Sequence, residues 1–164
     1  MQKIKSTRTG VVIAISFFCS FILTIFPLPT AVAWARPVWI LLIVSFWLIS
    51  APHRVGIVIA FMIGVLMDLL TGTILGLNAL LFTILAYLLL KFHMQLRGKS
   101  SGQKILVMMV ITTIYLAIQY WFTARHNITY HTWKYWLPIF TTALCWPIVA
   151  FLLRDYHLRF KVSR

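Results

Sequence analysis

Of the side chains able to do chemistry, Asp68 has the most unusual position, because it is the only acidic residue inside any long apolar run. A carboxylate at mid-helix in a membrane costs about 2.5–3.5 kcal/mol on insertion scales, so it ordinarily has a task. The nearest basic residue upstream is Arg54, and fourteen helical residues at about 1.5 Å each put Asp68 roughly 21 Å further on, near the far end of its segment. Gly56, Ala60, Gly64 and Asp68 recur every fourth residue, and Gly72 and Gly76 continue the interval. Residues four apart share a helix face, so the acid lies on a small-residue stripe suited to close helix packing and faces protein rather than lipid. Three tasks fit it. It organises structure or a partner contact through hydrogen bonds to Asn78 or nearby backbone; it exchanges a proton or ion; or it simply caps a short helix.

The remaining candidates do not assemble. His126 and His131 fall in one polar loop, His53 and His93 near the opposite surface, and His157 in the tail, so no metal set forms. Cys19 and Cys145 lie in apolar runs without CxxC or Cys/His spacing, which suits small packing residues and not a disulfide or zinc site. Ser16, Ser20, Ser45, Thr112 and Thr113 lack an Asp/His arrangement, and such hydroxyls bond backbone within helices. The sequon Asn127-Ile128-Thr129 is too common a pattern to carry weight. Without paired carboxylates, a nucleophile elbow or a phosphate loop, the residues specify no enzyme and no cofactor.

The segments that hold these residues are defined by composition. Hydrophobic residues make up 62% of the 164 and charged residues 10%. Soluble domains average about 45–50% apolar and about 25% charged, so this much apolar surface calls for a bilayer as its solvent. The expected fold is an all-α, polytopic membrane domain occupying residues 1–164, with six transmembrane helices. The spans cover about 11–26, 38–50, 55–70, 74–92, 105–124 and 135–153. Ala51-Pro52-His53-Arg54 joins the second and third as a tight hairpin, with Pro52 ending one helix and Arg54 anchored at the surface.

Net charge is +13. The basic residues flank apolar runs in short clusters, the pattern of topology signals and anionic headgroup contact and not of nucleic-acid binding. Alternating six spans puts twelve on one side: Lys3, Lys5, Arg8, Arg54, Lys91, Arg97, Lys99, Lys104, Arg154, Arg159, Lys161 and Arg164. Only Arg36, Arg125 and Lys134 fall on the other. By the positive-inside rule both termini are cytoplasmic. A rival for the first segment is a cleavable signal ending at Ala31-Val32-Ala33, although its apolar run is at the long limit for one. Trp34, Trp39, Trp121, Trp133, Tyr135 and Trp136 collect near span ends, as interfacial anchors do.

Three stretches carry a family resemblance. Arg36-Pro37-Val38-Trp39-Ile40-Leu41-Leu42 is followed by Ala51-Pro52-His53-Arg54-Val55, and then by the run from Gly64 through Asp68, Gly72 and Thr73 to Gly76. The series resembles the rod shape-determining MreD family of gamma-proteobacterial type, and length and span layout match over the whole chain. The last two spans resemble the family only in hydropathy and in Trp146-Pro147. The resemblance implies a non-enzymatic inner-membrane subunit of the cell-elongation machinery, beside MreC, the MreB filament, RodA and the elongation-specific transpeptidase. Its fold looks like that of the substrate-binding subunits of energy-coupling-factor vitamin transporters, which keeps small-solute binding or transport as an alternative. A membrane enzyme acting on lipid-linked precursors is a third class and lacks candidate acids.

Resemblance and position together suggest three local roles. Asp68 with Gly64, Gly72 and Gly76 shapes the turn into the fourth span. Pro52, His53 and Arg54 present the hairpin to a filament or partner tail. Arg36, Pro37 and Trp39 organise the entrance to the second span.

Overall fold

A run such as Trp39–Ser50, apolar on every side, has no face to turn to water and belongs at the centre of a bundle. In the computed structural model, which describes residues 2–27, 29, 33–124 and 133–159, it does so. The described helices are α1 (Gln2–Ile25), α2 (Trp39–Ser50), α3 (Ile57–Thr71), α4 (Leu77–Gly98), α5 (Ser101–Ala124) and α6 (Leu137–Arg159), the last preceded by a 3-10 turn, Trp133–Trp136. Every residue of α2 from Ile40 to Ile49 is buried, against α1, α4 and α6. The Trp47 indole N–H donates to Ser16 Oγ of α1 at 2.8 Å, and Thr142 Oγ1 of α6 accepts the Val38 N–H at 3.0 Å. α3 packs chiefly on α4, and α5 on α6.

The outer faces are apolar. Val58, Met62 and Leu69 of α3, Phe18 of α1, and Phe140, Leu144, Ile148 and Phe151 of α6 are all exposed. Large exposed apolar side chains on several helices suit acyl chains as the surrounding medium. Leu77–Gly98, Ser101–Phe122 and Trp133–Leu153 are long and apolar enough to cross a membrane. Gly10–Ile25, Trp39–Ser50 and Ile57–Thr71 are apolar but shorter. At about 1.5 Å per residue, the 12 residues of α2 rise roughly 18 Å and the 15 of α3 roughly 22 Å, against about 30 Å of hydrocarbon.

Helix and apolar run part company at the ends. The helical ladder continues through polar residues that hydropathy leaves out, so α1 begins at Gln2 and not near residue 11, while α4 runs on to Gly98 and α6 to Arg159. Cys19 is exposed on α1, so it is not the packing residue that its apolar neighbourhood suggested. Ser16, Ser20 and Thr113 bond backbone carbonyls of their own helices, whereas the buried Ser45 and Thr112 hydroxyls have no partner among the described residues. Ala31, Val32, Arg125, the histidines at 126 and 131, the 127–129 sequon, Lys161 and Arg164 lie outside the described residues. The side chains of His157, Asp155, Arg154, Arg159, Lys3, Lys5 and Arg8 do too.

Candidate functional site

Glycine at 64 brings α3 and α4 into backbone contact. A Cβ there would sit 2.3 Å from Ala79 Cα and 2.7 Å from the Asn78 carbonyl oxygen, distances no side chain occupies. One turn on, Asp68 is 1% exposed and points across this contact into the start of α4. Between them Gly72 closes α3 in the left-handed region at φ +64, and Gly76 precedes α4 at φ +95, conformations that L side chains rarely adopt. The four-residue interval therefore does not extend as one helix face through Gly72 and Gly76. α3 ends at Thr71 and these two glycines shape the turn. Gly56 likewise stands outside the stripe, as the residue before α3, with open space around its Cβ direction.

The Asp68 carboxylate collects five donors. Oδ1 accepts from Thr73 Oγ1 at 2.9 Å, from the Asn78 backbone N–H at 3.0 Å and from Asn78 Nδ2 at 2.9 Å. Oδ2 accepts the N–H of Gly76 at 2.9 Å and of Ala79 at 3.3 Å. The remaining N–H of this first turn, on Leu77, donates to the Ile74 carbonyl at 3.0 Å. Helix starts leave four N–H groups without intrahelical partners, and here all four are served from within the protein. A negative group also belongs at this positive end of the helix dipole. With both oxygens so engaged, the carboxylate acts as an N-cap supplied by a neighbouring helix.

The network continues beyond the acid. Asn78 Oδ1 accepts from the Tyr115 hydroxyl at 2.7 Å and from Gln119 Nε2 at 2.8 Å, tying α5 to the start of α4. Gln119 also donates to the Tyr115 oxygen at 2.9 Å, while the Tyr115 ring stacks on Phe82 with centroids 5.8 Å apart. Sequence reasoning offers Asn78 as a hydrogen-bond partner of Asp68. It does not offer Thr73, Tyr115 or Gln119, and the signal that raises the last two is polar side chains one turn apart within an apolar span.

A family model described as "rod shape-determining protein MreD" matches residues 5–156. The chain belongs to the MreD family. Rod shape-determining protein MreD of Haemophilus influenzae is 31% identical over 150 residues, covering 90% of this chain and 92% of its own. No solved structure matches. This MreD-family chain is thus a rod-shape-determining membrane protein by kinship, and its Asp68 site lies within the matched region.

The other two sequence-derived groups sit apart from Asp68 in this MreD-family chain. The Arg36 guanidinium donates to the carbonyls of Thr24 and Phe26, closing the C-terminal end of α1, where exposed carbonyls favour a cation. Its Nε is buried without a hydrogen-bond partner among the described residues. Pro37 and Trp39 are half-buried beside it, and the Trp39 N–H donates to the Pro37 carbonyl at 3.0 Å. At the opposite end of α2, Pro52 is half-buried and His53 and Arg54 are exposed, with the N–H groups of Arg54 and Val55 both donating to the Ala51 carbonyl. Trp34, Trp121, Trp133 and Trp136 are exposed near helix ends. Among the described residues no group of three or more His, Cys, Asp or Glu could hold a metal.

Proposed function

We propose that this chain is a non-enzymatic scaffold subunit of the bacterial cell-elongation machinery. It holds peptidoglycan-synthesis components together in the inner membrane with MreC, MreB, RodA and the elongation-specific transpeptidase. The observation that carries this reading is the state of Asp68: five hydrogen-bond donors occupy both oxygens of the one intramembrane acid. A proton- or ion-coupled site needs a carboxylate able to take a cation, whereas an organising residue needs what Asp68 has. In this reading the chain makes six crossings in a bundle like that of the substrate-binding subunits of energy-coupling-factor transporters. Both termini are cytoplasmic, and the basic end touches anionic lipid headgroups; the lopsided Lys and Arg distribution supports that orientation.

The test has two parts. The detergent-solubilised chain should retain MreC through size-exclusion chromatography, and cells lacking the chain should round up and recover rods on complementation. Failure of both removes the scaffold function. Periplasm-specific reporters fused after Asn127 should give signal, and those fused after Gly98 or Arg164 should not; a periplasmic C-terminus removes the six-span topology.

A further inference from the structure

α4 and α5 follow each other in sequence yet are not close partners in space. The first four helices pack on one another, whereas α5 packs chiefly on α6 and only slightly on α4. Two residues, Lys99 and Ser100, are all the chain that joins the two groups of helices. Both are exposed, and Lys99 has extended backbone. Their N–H groups make long hydrogen bonds, at 3.3 Å to the Leu96 carbonyl and at 3.4 Å to Gln103 Oε1, so the connection is built to pivot.

The hydrogen bonds between the groups fall at the other end. Thr142 of α6 accepts the Val38 N–H at 3.0 Å, and Tyr115 and Gln119 of α5 donate to Asn78 Oδ1 at 2.7 and 2.8 Å. The Tyr115 ring, stacked on Phe82, is the apolar part of the same contact. Asp68 and Thr73 take the Asn78 Nδ2 bonds at 2.9 and 3.2 Å. With its nitrogen so held, the amide turns its oxygen to α5 and spends both lone pairs there. Thr112 lies three residues along on the same face of α5, fully buried, and its hydroxyl has no partner. The polar link therefore does not continue from Tyr115 towards the connection. Lipid tails are as apolar as leucine, so helices in a bilayer are held by close packing and hydrogen bonds and not by hydrophobic drive. Where packing on α4 is slight, the bonds to Asn78 carry the docking.

We propose that α5 and α6 form a hinged pair that swings away from α4 about Lys99 and Ser100, with Asn78 as the latch that holds it closed. Ser101 and Tyr115 are fourteen residues apart, a lever of roughly 21 Å at about 1.5 Å per residue. A rotation of about 15° at the connection then moves Tyr115 by roughly 5 Å, enough to part both bonds to Asn78. This inference does not depend on the scaffold role.

Distances between paired spin labels, read by pulsed dipolar resonance in vesicles of phosphatidylethanolamine and phosphatidylglycerol, test it. In a background with Cys19→Ser and Cys145→Ser, one pair of labels goes at the latch end, Leu80→Cys on α4 and Ala117→Cys on α5. The other goes near the connection, at Met94→Cys and Leu106→Cys; all four positions are exposed. Asn78→Leu removes the latch and leaves the Asn78 N–H to Asp68 in place. Tyr115→Phe combined with Gln119→Leu removes it from the α5 side and does not touch the turn around Asp68. The expected result in both is a latch-end distance several ångströms longer and more widely spread, with the distance near the connection unchanged. Latch-end distances that stay as in the parent protein overturn the proposal, and so does equal spreading of both pairs, which is general loosening and not a hinge. A change in Asn78→Leu that the α5-side variant does not reproduce belongs to the start of α4 and also overturns it. If Asn78→Leu does not give monodisperse protein, the α5-side variant decides by the same readings.

Discussion

At its start α3 leaves a turn that shows His53 and Arg54 to the outside, with no side chain capping the helix; at its end it enters a turn closed over Asp68. The first turn is held by backbone bonds to the Ala51 carbonyl and by a charge that stays where headgroups and water are. The second is held by a buried acid, two left-handed glycines and a helix contact with no room for a Cβ. Two short chain reversals of similar length, six residues before α3 and five after it, therefore hide opposite tolerances. A turn served by solvent keeps its hydrogen bonds when a side chain changes, whereas one served by a single carboxylate loses them together.

The largest expected effect comes from Asp68→Leu, which strips the acceptor from five donors. An unsatisfied buried group costs about 1–3 kcal/mol, and intramembrane bonds are worth as little as ~0.6 kcal/mol, so the summed loss should still exceed that of any change at Arg54. Monodisperse protein recovered after graded heating in detergent measures it, and equal losses for Asp68→Leu and Arg54→Leu would erase the difference between the turns. Asp68→Asn falls between. The amide keeps the shape and part of the bonding, but its nitrogen must now face donors, either the N–H pair of Gly76 and Ala79 or the group from Thr73 and Asn78.

Gly64→Ala ranks next, because the added Cβ meets Ala79 backbone at 2.3 Å and the helices must part. Overpacking of this kind costs about 1–3 kcal/mol, read as a lowered thermal midpoint. A matched pair sharpens the comparison further: Gly76→Ala forces a Cβ into φ +95 and should cost about 1–2 kcal/mol, while Gly56→Ala, in extended backbone with open space, should be nearly neutral. Similar midpoints for the two would show that backbone strain does not distinguish the turns. The smallest effect on stability belongs to Arg54→Glu, expected within about 0.5 kcal/mol as for most surface changes. Its effect should appear in rod-shape complementation instead, with greater impairment than Lys161→Glu, since a tight turn holds its charge in place.

Much of this was readable before any fold was known. Apolar content and the spacing of basic clusters determine a helical membrane chain with short connections, because a bilayer admits few alternatives. They also single out Asp68, since an intramembrane acid on a small-residue face must be turned inward. The same local arithmetic fails where partners are distant in sequence. It continues the glycine interval through Gly72 and Gly76 as a helix face, although left-handed backbone at both makes them turn residues. It cannot pair Asn78 with Tyr115 and Gln119, which lie 37 and 41 residues away. Nor does it say which neighbours cover α2 on every side, or that the outer face of the also apolar α3 is left uncovered by the other helices. Hydropathy measures only a segment's preference to leave water. Which neighbour then covers a face, and which donors converge on a carboxylate, follows from the order in which helices pack, and tertiary structure alone decides that.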